Sequence, residues 1–157
     1  MKTQPLSIVR HGVRGLVLAA LLSAQGVMAQ FAMVPAPVCA PPRASAAENE
    51  KLFRVDAARH LYACYPMRVF RGKLPPLLYG VMIVETELDP TGNVVNVTVI
   101  RKPAADEVGP WVQAMIKRAS PYPAPVKSTS PTYTFTEIYM VDKSGLFQAD
   151  SVTEGQR

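Results

Sequence analysis

The stretch Gly80-Val81-Met82-Ile83-Val84-Glu85-Thr86-Glu87-Leu88-Asp89-Pro90-Thr91-Gly92-Asn93-Val94-Val95-Asn96-Val97-Thr98-Val99-Ile100 decides the fold. In its first half Met82, Val84, Thr86 and Leu88 alternate with Val81, Ile83, Glu85 and Glu87. A period of two is the signature of a strand with two different faces, and the carboxylates mark the solvent side. Asp89 to Asn93 is a turn in which proline presets one dihedral and glycine accepts positive φ. Val95, Val97 and Val99 then alternate with Asn96 and Thr98 on the way back. The reading is an antiparallel hairpin with one buried face.

Such a face needs a cover, and the flanking segments supply two helices. Upstream, Ser45 followed by Glu48 fits a capping box. Phe53, Ala57, Leu61 and Cys64 then recur at helical spacing until Pro66 stops the run near Tyr65. Downstream, Pro103 ends the returning strand and Asp106 is the expected N-cap. Val108, Val112, Met115 and Ala119 form a second apolar stripe, flanked by Trp111 and closed by Pro121, Pro123 and Pro125. Pro131 to Val141, rich in Thr, Tyr, Phe and Ile, reads as a third strand. Asp142-Lys143-Ser144-Gly145 is a turn, with Leu146-Phe147-Gln148 as a short fourth strand. The fold class expected is therefore α+β. It has two layers, a three-stranded antiparallel sheet with two helices on one face, and a short C-terminal hairpin extension.

The domain organisation follows. Residues 1–29 combine a basic start, the apolar run Gly15 to Leu22 and the small-residue end Val27-Met28-Ala29, the three parts of a secretory signal peptide cleaved after Ala29. The alternative is an uncleaved segment that anchors the chain in the inner membrane. Residues 30–44 form a Pro/Ala-rich linker, 45–150 the folded domain and 151–157 a flexible tail. The excised stretch carries Lys2, Arg10 and Arg14 and no acidic residue, so the net charge of +5 falls to +2 on cleavage. The mature surface is then mixed in sign, with no basic run of the kind that binds nucleic acid.

Export sets the redox compartment. Cys39 and Cys64 are an even pair in an oxidising environment and can form a disulfide. Two unpaired thiols are the other reading. No C-x-x-C spacing, phosphate loop, nucleophile elbow or metal-spaced Cys/His set is present. His60 reads as a solvated helix residue, and Glu85 with Glu87 as exposed strand carboxylates rather than an acid/base pair. No catalytic residue, metal ligand, cofactor or small-molecule substrate is expected.

The order of elements, with several local words, resembles the C-terminal domain of TonB-family energy transducers. The words are Tyr65-Pro66, the Gly80-led strand, the Asp89-Pro90-Thr91-Gly92-Asn93-Val94 hairpin, Ser120-Pro121-Tyr122-Pro123-Ala124-Pro125, and Tyr133 to Val141. They cover about residues 62 to 141. The resemblance implies a periplasmic, non-enzymatic binding module whose last strand receives an extended segment of an outer-membrane transporter by β-augmentation. The matching residues here are Thr132, Tyr133, Thr134, Phe135, Thr136, Glu137, Ile138 and Tyr139. The chain departs from the family pattern in three places, and the first is the extra hairpin after Val141, which can occlude the sheet edge that the family uses for binding. His11 precedes the apolar run, and the proline-rich linker reaches only about 45 Å at ~3.1 Å per residue. A second class of function is therefore carried alongside: a soluble periplasmic structural or assembly factor, dimeric through its sheet edge and not coupled to the proton-motive force. The connector Arg68, Arg71 and Lys73 is a further candidate surface for acidic partners, its plainer reading being a solvated loop.

Overall fold

The computed structural model describes residues 31–153; the stretch read as a signal peptide or anchor, and the last four residues, lie outside the described residues. The elements are α1 (Glu50–Cys64), β1 (Gly80–Leu88), β2 (Val94–Arg101), α2 (Val108–Arg118), β3 (Tyr133–Val141) and β4 (Phe147–Ala149). Short 3-10 turns follow α1 at Pro66–Arg68 and β4 at Asp150–Val152. All strand pairings are antiparallel, in the order β2-β1-β3-β4. The sheet thus has four strands where three plus an extension were expected. The final hairpin pairs Tyr139, Met140 and Val141 with Ala149, Gln148 and Phe147, which makes β4 part of the same sheet.

β1 is central, and its alternation survives intact. Met82, Val84, Thr86 and Leu88 are buried, while Val81, Ile83, Glu85 and Glu87 are half-buried on the other face. The buried face meets Phe53, Ala57 and Leu61 of α1 and Val108, Trp111, Val112 and Met115 of α2 in one core. Both turns use the same device. Asp89 accepts hydrogen bonds from Thr91 and Asn93, and Asp142 accepts them from Ser144 and Leu146. Gly92 and Gly145 sit at φ +90° and +73°, conformations that glycine adopts without a Cβ penalty. Gly92 is doubly fixed, because a Cβ there would run into the Tyr122 carbonyl. Its own carbonyl accepts from the Tyr122 amide at 2.8 Å.

Three expectations are corrected. The first helix starts at Glu50 with Asn49 as N-cap, Asn49 Oδ1 accepting from the Leu52 amide. Ser45 lies too far upstream to cap it, and its Oγ donates instead to Asp56 at 2.7 Å. The second helix is preceded by Glu107, not Asp106, at the N-cap, with no side-chain cap bond. On β2 the strict Val95-Val97-Val99 alternation fails because the pairing with β1 slips twice. Val95 and Ile100 are the extra residues. They stand 57% and 58% exposed, while Val97 is buried against Thr86. Bulges of this kind bend an edge strand and spoil it as a template for further pairing.

The facing of β2 gives a direct test. Val97→Asp buries a carboxylate with no cation beside it and should cost about 3–5 kcal/mol, a large share of a small domain's stability. Val95→Asp, two residues away on a bulge, should cost no more than about 0.5 kcal/mol. Urea denaturation of the two variants checks the contrast; equal losses would show that the bulge has been misplaced.

Candidate functional site

The eight residues singled out from sequence run along one strand but divide between its two faces. Thr132 precedes β3 in a bend. Tyr133, Phe135, Glu137 and Tyr139 point to the helices, with Phe135 and Tyr139 in the core and Tyr133 against the Phe53 ring at 4.6 Å. Thr134, Thr136 and Ile138 face the other way.

The edge is set by hydrogen-bonding direction rather than by side-chain facing. β1 takes one side of β3 along its whole length, from Gly80–Val141 to Leu88–Tyr133. β4 takes the other side only at Tyr139–Val141. In an antiparallel strand alternate amides point to opposite neighbours. The Thr136 amide donates to Glu50 Oε1 at 2.9 Å and the Ile138 amide to Glu137 Oε1 at 2.9 Å. The outward set is therefore Thr134, Thr136 and Ile138. From Thr134 to Ile138 this edge has no strand beside it among the described residues, a stretch of about 17 Å at ~3.3 Å per residue. Two carboxylates stand in for the missing carbonyls. A hollow of about 310 Å³ opens at the start of the edge, lined by Asn49, Glu50, Lys127, Ser128, Tyr133 and Thr134 among others.

Farther along, the sheet is closed. The Phe70 amide donates to the Phe147 carbonyl, and Tyr62 Oη accepts from the Ala149 amide. Gln148 Nε2 donates to the Phe70 and Gly72 carbonyls at 2.9 and 2.6 Å. The basic connector that holds Arg68, Arg71 and Lys73 is thus pinned over the outer side of β4, leaving the open stretch of β3 clear.

Glu137 is the surprise on this strand. Its side chain is 2% exposed and faces the helices. It is paired with Arg54 at 2.9 Å, and it accepts from the Ser151 hydroxyl and the Ser151 amide. Ser151 in turn donates to the Arg54 carbonyl at 3.2 Å. The first residues of the expected 151–157 tail therefore belong to a packed 3-10 turn at Asp150–Val152. Neither Glu50 nor Arg54 figures in a reading of β3 alone. The signal that could have found them is their i, i+4 spacing beside Phe53, which puts both on the flank of the buried stripe.

Cys39 and Cys64 are joined in a disulfide. The segment read as a free linker is consequently a strap laid on the helices. Phe31 is buried, with its ring 5.5 Å from Tyr79 and 5.4 Å from Trp111. Arg118 donates to the Val34 carbonyl, and the Val38 amide to the Cys64 carbonyl. His60 is also corrected: it is 8% exposed, not solvated. Its ring lies 5.0 Å from that of Tyr122, and its Nε2–H donates to the Ala119 carbonyl at 2.7 Å. Cys39, His60 and Cys64 bring three potential metal-ligand atoms within 4.8 Å of one another, but the two sulfurs are engaged in the bond between them. Ser45, Asp56 and His60 share one surface hollow without forming a relay, since Ser45 bonds Asp56 while His60 bonds Ala119.

No protein-family model matches this chain, no curated protein matches its sequence, and no solved structure matches it. Among the described residues, no helix is long and apolar enough to cross a membrane.

Burial lowers the His60 pKa below its ordinary 6.5, against the raising effect of the Ala119 bond. Between the folded value and about 6.5 the unfolded chain binds the proton and the folded chain does not. Stability contributed by the neutral ring is therefore complete above about 6.5 and falls as pH drops through that value toward the folded pKa. The Asp89 carboxyl, held at about 2 by the Thr91 and Asn93 hydrogen bonds, contributes its own loss only as pH falls below the ordinary carboxylate range. Denaturant midpoints should thus decline from pH 7 to 5 in the natural chain. His60→Gln should remove most of that slope, and an unchanged slope would assign it elsewhere.

Proposed function

We propose that this chain is a periplasmic binding module of the TonB C-terminal type, which takes an extended protein segment on the open stretch of β3 and catalyses no reaction. The observation that carries the reading is the partial coverage of one strand. β4 pairs with only three residues of β3, so the outward amides of Thr134 and Thr136 face no strand among the described residues, the second of them held by the Glu50 carboxylate. β-augmentation needs such an edge plus a recess for a side chain, and the hollow at Tyr133 and Thr134 supplies one. The partner class suggested by the resemblance is an outer-membrane transporter segment. Energy coupling is not part of the proposal.

Occupancy of the edge has a cost built in. An arriving carbonyl must displace Glu50 from the Thr136 amide, exchanging a charge-assisted bond for a neutral one. Affinity is therefore expected to be modest, and removal of Glu50 should raise it.

A second reading rests on the opposite edge. Among the described residues β2 has no strand outside it, and Val95 and Ile100 stand exposed there, as a homodimer contact would use. The two bulges weigh against it, since they break the run of evenly spaced outward groups.

Proline substitution separates these readings. Thr134→Pro removes an outward amide and adds bulk at the edge without breaking a ladder bond to β1. It should leave the thermal melt within a few degrees of the natural chain and abolish binding of synthetic transporter peptides. Phe135→Pro should unfold the domain, because that residue is buried and its amide faces β1. Glu50→Ala should tighten peptide binding by roughly fivefold, the equivalent of about 1 kcal/mol. A folded Thr134→Pro protein that still binds would refute β3 as the docking edge. Loss of dimer on Val95→Asp, with no peptide bound by the natural chain, would favour the second reading.

A further inference from the structure

The Cys39–Cys64 disulfide has two unlike ends. Cys64 is fully buried as the last residue of α1. Cys39 lies half-buried in the strap. A hollow of about 390 Å³ is lined by Ala40, Ser45, Asp56, Arg59, His60 and Ala63 among others. Ala40 and Ala63 are the chain neighbours of the two cysteines. The His60 Nε2 lies 3.4 Å from Cys64 Sγ.

We infer that this disulfide is a thiol-exchange site, at which a small external thiolate of the glutathione class attacks Cys39 Sγ and Cys64 departs as a thiolate toward the His60 Nε2–H. Attack proceeds at the sulfur a nucleophile can reach, and the better leaving group goes faster. Taken alone, Cys64 would be a poor leaving group. It is buried, and it sits at the C-terminal end of a helix, where the backbone dipole disfavours negative charge. His60 offsets both. Its Nε2–H is committed to the Ala119 carbonyl while the disulfide is intact, and it can turn a short distance to the sulfur once charge appears there. A hydrogen bond to the charged form stabilises the thiolate.

The electron balance closes with thiols alone. In the first step a sulfur–sulfur bond forms between the external thiolate and Cys39, the Cys39–Cys64 bond breaks, and its electron pair remains on Cys64. In the second, another thiolate attacks the external sulfur and Cys39 leaves. Two external thiols are oxidised to one disulfide and the protein cystine is reduced to two cysteines, which take up the two protons that the external thiols lost. The strap is then held by the Phe31 stacking and the Val38 amide bond without its covalent bolt.

The test is made on the oxidised, natively folded chain with reduced glutathione, quenched in acid and mapped by peptide mass spectrometry. The mixed disulfide should lie on Cys39, with at least about tenfold less on Cys64. His60→Phe, which removes the donor, should slow exchange by about tenfold or more, and His60→Gln, which keeps a neutral N–H donor, should restore much of the rate. Adduct chiefly on Cys64 or equally on both would overturn the proposal. So would a cystine that reacts only after denaturation, or a folded His60→Phe chain that exchanges at the natural rate. The adduct position is read on the unaltered chain, so the test stands even where a His60 variant fails to fold.

Discussion

A single buried carboxylate sets the architecture around the partly covered edge of β3. Glu137 faces the helices, away from water, and such a group is costly to bury unless its oxygens are bonded. Arg54 brings α1 to it, Ser151 brings the C-terminal turn, and the Ile138 amide folds back from its own strand. Three elements are thereby fastened at one point on β3. The same contact also ends the sheet there, because the C-terminal turn comes in beside β3 where a longer β4 would otherwise continue. Packing, sheet size and the open stretch of β3 all depend on it. Among the described residues the Arg54 Nε has no hydrogen-bond partner, so the pair is satisfied on its carboxylate side and incompletely on its guanidinium side.

The two edges of the sheet are protected by different means. β2 relies on bulges and on capping of the Val97 amide by the Asn96 side chain. β3 relies on carboxylates: Glu50, an exposed side chain on the Thr136 amide, and Glu137, held on the Ile138 amide by Arg54 and Ser151. An edge blocked by bent backbone is closed for good, whereas one blocked by a side chain can be opened for the cost of moving it. That difference in kind, more than exposure, favours β3 as the functional edge.

Much of the fold was legible because its signals are local. The alternation from Val81 to Leu88 and the spacing of Phe53, Ala57, Leu61 and Cys64 each report one element's own buried face, and both hold in the structure. What escaped the sequence depends on long-range partners. Glu137 looks like an ordinary polar residue of a strand until Arg54, 83 positions away, is brought opposite it. His60 reads as solvated until Tyr122 and Ala119 close over it. The strap reads as linker because proline and alanine lack periodicity, yet one disulfide and one buried phenylalanine hold it down. On the candidate site, the strand itself could be located in advance. The direction of its free amides could not, since that follows from the register with β1, a register fixed only in three dimensions.

Residue-resolved amide hydrogen exchange, with and without a synthetic transporter peptide, tests the central claim most directly. In the free domain the Thr134 amide should exchange fastest of the β3 amides. Thr136 and Ile138, each held by a carboxylate, should be slower, and the amides paired with β1 slowest. Added peptide should slow Thr134 and Thr136 and leave the outward amides of β2 unchanged. Protection that rises along β2 while Thr134 stays fast would contradict the assignment of β3 as the docking edge.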